Sequence, residues 1–169
     1  MLVGIISDSH DNLTNLGKAI ELLNERKVDL VLHCGDFISP FVMKRLWELK
    51  AKLIGVFGNN DGDKALLSEL AYKKGFELHN QPYSMKIGDR KLLLMHGWGS
   101  KEETLTLINS LAEVGHYDII IYGHTHEAFN KVIGRTLVVN PGEVYGYLTG
   151  KASLAILNVE KLEAEIIEL

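Results

Sequence analysis

The sequence has little cysteine, little proline and no long apolar run, and each shortage excludes a class of protein. Its one cysteine, Cys34, excludes an intrachain disulfide framework and a cysteine-rich zinc site. No apolar run reaches the ~18 residues of a membrane span, and the opening MLVGIISDSH lacks the basic start and apolar core of a signal peptide. With three prolines, no Gly/Ser tract and no internal repeat, no linker divides the chain. We therefore expect a single cytoplasmic domain, residues 1–169, without a membrane partner.

An excess of basic residues is absent as well. The 18 lysines and arginines stand against 22 aspartates and glutamates, which gives a net charge of −4. This balance provides no strong general attraction for nucleic acid. Apolar material, in contrast, is plentiful, because 46% of the 169 residues are hydrophobic and can form a substantial core.

Apolar runs alternate with stretches of helical periodicity, which is the pattern of an α/β protein. Early strands are separated by helices and later strands follow at hairpin spacing, so the sequence predicts two mixed sheets packed together with helices outside. The predicted strands cover residues 2–6, 29–33, 53–57, 83–87, 91–95, 118–122, 129–133, 136–139, 152–157 and 162–167; the predicted helices cover 13–26, 64–74, a stretch that begins at Ser39-Pro40, and one from the Ser100–Glu103 capping box to about Gly115.

Five segments rich in ligand side chains each come directly after an apolar strand. Ligands of α/β sheets bind beyond the carboxyl ends of the strands, so we expect these segments to lie together. Alternate residues of an extended chain point the same way, which would aim both members of each D-x-H or H-x-H pair at one point. The segments are Asp8-Ser9-His10, Gly35-Asp36, Gly58-Asn59-Asn60-Asp61, His96-Gly97 and Gly123-His124-Thr125-His126.

The candidate ligands combine carboxylate, imidazole and amide oxygen, a set that suits Mn, Fe, Ni, Co or Zn. They are too many for one tetrahedral zinc and fit two ions about 3.5–4 Å apart that share one carboxylate. We expect two divalent ions, manganese or nickel first, with cobalt, iron and zinc as alternatives. The candidate ligands are Asp8, His10, Asp36, Asn59, His96, His124 and His126.

The motifs D-x-H, G-D, G-N-x-D, H-G and G-H-T-H, in this order and spacing, resemble those of the calcineurin-like metallophosphoesterases. The resemblance extends over essentially the whole chain and is strongest to the small single-domain bacterial and archaeal phosphodiesterases. It implies a four-layer α/β/β/α sandwich. It also implies hydrolysis of phosphodiesters by a metal-bridging hydroxide that attacks phosphorus in line, without a covalent enzyme intermediate. Finally, it implies that one metal is held by Asp8, His10 and His126, the other by Asn59, His96 and His124, and that Asp36 bridges them.

The chain departs from the family at one position. Many members have histidine after the motif asparagine, where it protonates the leaving oxygen or stabilises charge at the phosphate, whereas this chain has Asn60. An amide is not a general acid, and losing one typically costs ~10²–10⁴-fold on a poor leaving group. We therefore expect good turnover of diesters with good leaving groups and weak turnover of alkyl monoesters. Asn60, Asp36 and Asp61 are the candidate catalytic residues, with Asp61 either orienting Asn60 or capping the following helix.

Other polar and aromatic residues have less specific interpretations. His33 lies inside the second strand and is expected to be a satisfied core histidine or a partner of a ligand. Cys34 is expected to be a buried, inert thiol. His79 and His116 lie in polar surroundings and are expected to be solvated loop residues. Trp98 and Tyr145 are candidates for the wall of a substrate groove.

Two functions of different classes compete. The leading hypothesis is a phosphodiesterase that acts on an organic phosphodiester or a nucleotide-like small molecule. The alternative is a protein-binding scaffold like the metallophosphoesterase-like subunit of the retromer sorting complex, which has lost much of the ligand set that is intact here. A dinucleotide-binding fold is excluded because Val3-Gly4-Ile5-Ile6 opens no G-x-G-x-x-G loop, and no G-x-S-x-G elbow of a serine hydrolase occurs. The sequence leaves self-association open.

Overall fold

The computed structural model describes residues 1–169 and contains every strand and helix that the sequence predicts, with one strand more. Most predicted ends lie within one or two residues of the observed ones. In chain order the elements are β1 (Leu2–Ile6), α1 (Leu13–Glu25), β2 (Leu30–His33), α2 (Pro40–Leu46), β3 (Lys52–Val56), α3 (Lys64–Lys74), β4 (Glu77–His79), β5 (Tyr83–Ile87), β6 (Arg90–Leu94), α4 (Lys101–Val114), β7 (Ile119–Ile121), β8 (Phe129–Ile133), β9 (Thr136–Asn140), β10 (Ser153–Asn158) and β11 (Glu163–Glu168).

The strands form two sheets, and both are mixed. The six-stranded sheet has the order β11-β10-β1-β2-β3-β4, in which β1 to β4 are parallel and β10 runs antiparallel to both of its neighbours, β1 and β11. The five-stranded sheet has the order β5-β6-β7-β9-β8, in which β6, β7 and β9 are parallel and the outer strands are antiparallel. The prediction of two mixed sheets is therefore confirmed.

Three apolar clusters divide the protein into layers. Helices α1 to α3 pack on the outer face of the six-stranded sheet through a cluster that includes Leu16 and Leu46. The inner faces of the two sheets meet through residues such as Ile5 and Ile121. Helix α4 covers the outer face of the five-stranded sheet through Ile108. The architecture is a four-layer α/β/β/α sandwich, as predicted.

The helices begin and end at the residues that their capping chemistry indicates. The Ser39 side chain accepts from the backbone at the start of α2, and Pro40 occupies the first turn, where its missing N–H costs nothing. Ser100 and Glu103 form a capping box at the start of α4, and Gly115 ends that helix in the left-handed conformation.

Strand β4 is absent from the sequence-based prediction. Its three residues are half-buried and pair with β3 at the edge of the six-stranded sheet. The prediction that His79 is a solvated loop residue is therefore wrong, and its ring stacks on Tyr83 with centroids 3.7 Å apart. Glu77-Leu78-His79 is too short and too polar to show the alternation by which strands are recognised.

The parallel strands place all five ligand segments at one edge of the sandwich. Strands β1, β2 and β3 run parallel in one sheet, and β6 and β7 run parallel in the other. One predicted segment follows each of these five strands. None of the four helices is both long and apolar enough to cross a membrane.

Candidate metal centre

The carboxyl ends of β1, β2, β3, β6 and β7 meet where the two sheets come together. Two hydrogen bonds cross between the sheets here. The backbone N–H of His124 donates to Asp8 Oδ2 over 3.0 Å, and His96 Nδ1 lies 2.8 Å from the carbonyl oxygen of Cys34. The ligand segments therefore face one another across a shared centre.

Asp8, His10 and His126, here called the Asp8 group, form one side of this centre. Asp8 Oδ1 lies 3.4 Å from His126 Nε2 and 3.7 Å from His10 Nε2. The two imidazole rings stack with centroids 5.2 Å apart. Asp8 Oδ1 and His10 Nε2 are both buried, yet neither has a hydrogen-bond partner within the protein. Because buried polar atoms rarely lack partners, these two atoms make the Asp8 group a candidate ion site.

Asn59, His96 and His124, here called the Asn59 group, form the other side. Asn59 Oδ1 lies 2.8 Å from His96 Nε2 and 2.9 Å from His124 Nδ1, and these two nitrogens are 3.2 Å apart. The opposite ring nitrogens contact backbone carbonyl oxygens at 2.8 Å. His96 Nδ1 contacts that of Cys34 and His124 Nε2 contacts that of Gly99.

The backbone carbonyls determine which nitrogen of each ring carries the proton. A carbonyl oxygen only accepts, so a neutral imidazole places its single N–H there and turns its lone pair toward Asn59. Asn59 Oδ1 is also an acceptor. In that tautomer, three lone pairs from Asn59, His96 and His124 would converge with no proton between them, an arrangement that is repulsive until a cation lies among them. The Asn59 group thus fits a metal ion.

Asp36 lies between the two groups. Its Oδ2 is 3.4 Å from His10 Nε2 and 3.5 Å from His96 Nε2, and the residue is almost completely buried. Ligand atoms of Asp8, His10 and His126 lie within 4.8 Å of one another, and so do those of Asp8, Asp36 and His96. The position of Asp36 is that of a carboxylate able to contact an ion on each side.

The charges at the centre also favour cations. Asp8, Asp36 and Glu143 are buried carboxylates whose only ionic partners are histidines, and no lysine or arginine lies within salt-bridge distance of them. Buried charges are normally paired or coordinate metals. Burial itself disfavours the ionised form of Asp8, but nearby histidines and the Ser7 hydroxyl outweigh it and lower the pKa of Asp8, so this carboxylate is ionised at neutral pH.

The backbone reaches this arrangement in a way that the sequence does not reveal. Asp8, His10, Asp36, His124 and His126 all have φ between 40° and 66°, in the left-handed region. The expectation that each pair converges on one point because the chain is extended is therefore wrong. Asp8 and His10 do lie within 3.7 Å of each other, whereas His124 contacts Asn59 and His126 contacts Asp8. Non-glycine residues in this region are uncommon and are concentrated at functional sites, where the surrounding structure holds them.

Asp61 holds two of the ligand loops together rather than capping a helix. Its carboxylate accepts from the backbone N–H groups of Gly58 at 2.7 Å, Ile38 at 2.8 Å and Asp36 at 3.1 Å. Burial outweighs these hydrogen bonds and raises the pKa of Asp61. Asp63, not Asp61, caps α3, so the capping alternative is wrong.

Asn60 is directed at Asp36. Its backbone N–H donates to Asp36 Oδ1 over 2.9 Å, and its side-chain Nδ2 donates to Asp36 Oδ2 over 2.7 Å. The loop can approach this closely because Gly58 has no side chain, and a Cβ there would overlap the Asp36 carboxylate. Asn60 therefore belongs to the surroundings of the shared carboxylate.

The residues interpreted as structural lie outside the set of ligand atoms. His33 is fully buried, stacks on Phe37 with centroids 3.8 Å apart, and accepts from the Gly35 N–H. Burial lowers the pKa of His33 to about 3, which keeps the ring neutral. Burial raises the pKa of the Cys34 thiol, as expected for an inert cysteine. His116 is exposed in the loop after α4.

Two aromatic side chains lie near the centre. The Tyr145 ring lies against His10 with centroids 5.4 Å apart, and its backbone N–H donates to the Asp8 carbonyl over 3.0 Å. Trp98 follows His96-Gly97 in the chain and is 64% exposed. Their contact with a substrate stays a prediction.

Sequence reasoning missed two residues that support the ligands. Glu143 is fully buried and its Oε2 lies 2.8 Å from His126 Nδ1. Gln81 Oε1 accepts from the backbone N–H groups of His96 and Gly97. The one available signal for Glu143 was an acidic residue directly before Val144 in an otherwise apolar segment, and nothing in the sequence singles out Gln81.

Known proteins share this chain's sequence over nearly its full length. A family model of the calcineurin-like phosphoesterase superfamily domain matches residues 1–162. The chain belongs to this superfamily. Among curated relatives of this phosphoesterase, "Phosphodiesterase MJ0936" of Methanocaldococcus jannaschii is 42% identical over 164 residues, 96% of each chain. "Probable metallophosphoesterase YsnB" of Bacillus subtilis is 32% identical, covering 98% of this chain and 89% of its own length.

Solved structures agree with this assignment. An archaeal phosphodiesterase superposes on this phosphoesterase with a TM-score of 0.91 at 41% identity and with full coverage of both chains. Vps29 of Entamoeba histolytica superposes with a TM-score of 0.68 at 24% identity over 99% of both chains, which shows a shared fold alone. The predicted family and fold are confirmed, and the prediction of a phosphoric diester hydrolase is supported by the relatives of higher identity.

Proposed function

We propose that this phosphoesterase is a dinuclear metal-dependent phosphodiesterase with all its functional residues in one domain. The Asp8 group holds one divalent ion, the Asn59 group holds the other, and Asp36 contacts both. The observation that carries the proposal is the convergence of Asn59 Oδ1, His96 Nε2 and His124 Nδ1, which lie within 3.2 Å of one another. The buried, partnerless Asp8 Oδ1 supports the second ion in the same way.

When bound, two divalent ions would lower the pKa of water so that hydroxide is available as the nucleophile at neutral pH. They would also place positive charge against the phosphate oxygens. The protein's own contribution is to hold the donors in place before substrate arrives. Backbone carbonyls orient His96 and His124, and the loops that carry Asp36 and Asn59 are joined through Asp61. Two divalent ions carry more positive charge than the carboxylates of Asp8 and Asp36 can offset, which attracts an anionic phosphate.

The leaving group receives no proton from a side chain at position 60. Asn60 is an amide and donates to Asp36 in this structure. Departure of the leaving group therefore depends on its own acidity, so aryl diesters are hydrolysed fast and alkyl monoesters slowly. Cys34 does not compete as a nucleophile, because burial raises the pKa of its thiol.

The substrate is a small phosphodiester or a nucleotide-like molecule. The Tyr145 ring lies beside His10. The Tyr147 ring lies next to that of Tyr145, with centroids 5.6 Å apart, and Tyr147 is 78% exposed. We infer that this edge of the centre contacts an ester group of the bound diester. The native ions are manganese or nickel, and the location is the cytoplasm; both stay predictions.

A turnover panel tests the proposal. Metal-free protein is reconstituted with Mn²⁺, Ni²⁺, Co²⁺, Zn²⁺ or Mg²⁺ and assayed on bis-p-nitrophenyl phosphate, cyclic and linear dialkyl diesters, and monoesters. We expect hydrolysis of the aryl diester to exceed that of every alkyl monoester. Protein that binds two ions yet hydrolyses no diester would contradict the proposal, and a stoichiometric partner that co-purifies with such protein would favour a binding scaffold.

A further inference from the structure

A buried carboxylate lies directly behind one of the proposed ligands. Glu143 follows the Asn140-Pro141-Gly142 segment at the end of β9, and its side chain is fully buried. Its Oε2 lies 2.8 Å from His126 Nδ1. Its Oε1 accepts from both the backbone N–H and the hydroxyl of Thr149, each over 2.7 Å. Its only ionic partner is thus a histidine ring.

The two nitrogens of His126 face different partners. Nδ1 faces Glu143, and Nε2 faces Asp8 Oδ1 at 3.4 Å. A neutral imidazole carries one N–H and one lone pair. With Glu143 Oε2 as the acceptor of the 2.8 Å contact, the N–H lies on Nδ1 and the lone pair of Nε2 points into the centre.

We propose that Glu143 is a positioning residue that fixes the tautomer and orientation of His126 so that Nε2 is available to a divalent ion in the Asp8 group. The tautomer follows from the protein's own hydrogen bonds, whereas the consequence for metal binding rests on the proposed function. Partners of this kind also raise the basicity of the ligating nitrogen.

Glu143→Gln separates this role from simple packing, because the two side chains have nearly the same shape. Thr149 directs a backbone N–H at Oε1, so the amide oxygen of glutamine must face Thr149. The amide NH₂ then faces His126 Nδ1, which can only accept from it. The variant should therefore move the His126 proton from Nδ1 to Nε2 and turn an N–H toward the metal.

The first measurement is the ¹⁵N spectrum of the histidine rings in metal-free protein at alkaline pH, with His126 assigned from a His126→Gln variant. We expect the Nδ1–H tautomer in the wild type and the Nε2–H tautomer in Glu143→Gln. Glu143→Asp keeps a carboxylate and should retain Nδ1–H. The exposed control Glu168→Gln should change nothing.

The second measurement is calorimetric titration of the same proteins with Mn²⁺. Glu143→Gln should bind one ion about 10–100-fold more weakly, as removal of a hydrogen-bond partner of a ligand does, and should bind the other ion as the wild type does. A tautomer switch together with this selective loss supports the proposal.

An Nε2–H tautomer in wild-type protein overturns the proposal without any variant. Unchanged Mn²⁺ affinity in Glu143→Gln, or a loss confined to melting temperature, also overturns it and leaves Glu143 a packing residue. Neither measurement uses hydrolysis, so failure of the phosphodiesterase assay is distinguishable from failure of this inference.

Discussion

The Asp8 group and the Asn59 group hold their histidines by different means. In the Asn59 group, His96 and His124 each contact a backbone carbonyl oxygen at 2.8 Å. In the Asp8 group, His126 contacts the side chain of Glu143 at the same distance. The contacts of His96 and His124 are made by the backbone and do not depend on a neighbouring side chain. The contact of His126 depends on Glu143, which a single substitution removes.

The groups also differ in charge. The Asn59 group consists of one amide and two imidazoles, whereas the Asp8 group contains the Asp8 carboxylate and has Glu143 behind it. Hard divalent cations prefer charged oxygen ligands. Under the proposed function we therefore predict that the two groups bind their ions with unequal affinity, the Asp8 group more tightly, and that both depend on Asp36.

The largest expected effect is loss of the shared ligand. Asp36→Asn removes the charge between the groups and should lower kcat on bis-p-nitrophenyl phosphate by about 10³-fold, the upper end of the cost of one electrostatic group. Metal analysis of the purified variant should show loss at both sites. Asp89→Asn, an exposed change in the β5–β6 turn, is the matched control and should keep wild-type activity. Similar kcat values in the two variants would exclude a shared role for Asp36.

Removing one candidate ligand from each group directly tests the predicted difference in Mn²⁺ affinity between the Asp8 group and the Asn59 group. His126→Ala should abolish the tighter Mn²⁺ site and His96→Ala the weaker one, each leaving one ion per chain, with activity about 10²-fold lower in both. Calorimetric titration with Mn²⁺ distinguishes the two cases by which affinity remains. If both variants retain the same affinity, the difference in charge between the groups has no consequence for binding.

Features of the candidate site that follow from local sequence patterns could be predicted, whereas features that depend on tertiary packing could not. The ligand segments were predictable because each follows an apolar strand, and parallel strands bring such ends together, as seen for Asp8 and Asp36. Their left-handed backbone was not, because the enrichment of histidine in that region is too weak to single out His10 or His126. Glu143 was also missed, since its contacts with His126 and Thr149 depend on a loop that packs only in the finished fold.

A smaller effect, an increase in the turnover of poor leaving groups, is expected at Asn60, which donates to the Asp36 carboxylate. Asn60→His introduces a group able to protonate a leaving oxygen, whose full contribution is typically ~10²–10⁴-fold. The new ring replaces an amide that donates to Asp36, so we expect a gain of only about tenfold in the ratio of alkyl-ester to aryl-diester turnover. Steady-state assays on both substrates measure this ratio. No increase would mean that the amide does not explain the leaving-group preference.

The smallest effect concerns Ser7, whose hydroxyl donates to Asp8 Oδ2 over 2.5 Å. Asp8 Oδ2 also accepts from the His124 backbone, so Ser7→Ala leaves this oxygen with a partner. We expect a loss of about 1 kcal/mol in the free energy of unfolding and a less than tenfold weaker Mn²⁺ affinity at the Asp8 group alone. Urea unfolding and calorimetry measure these quantities. An equal loss of affinity at both sites would show that the groups are more strongly coupled than proposed.

The most direct test of the central claim is anomalous diffraction from crystals of the protein loaded with Mn²⁺. The proposed function predicts two anomalous peaks, one among Asp8, His10 and His126 and one among Asn59, His96 and His124, with the Asp36 carboxylate between them. A single peak, or peaks away from these side chains in crystals of active protein, would contradict the dinuclear account.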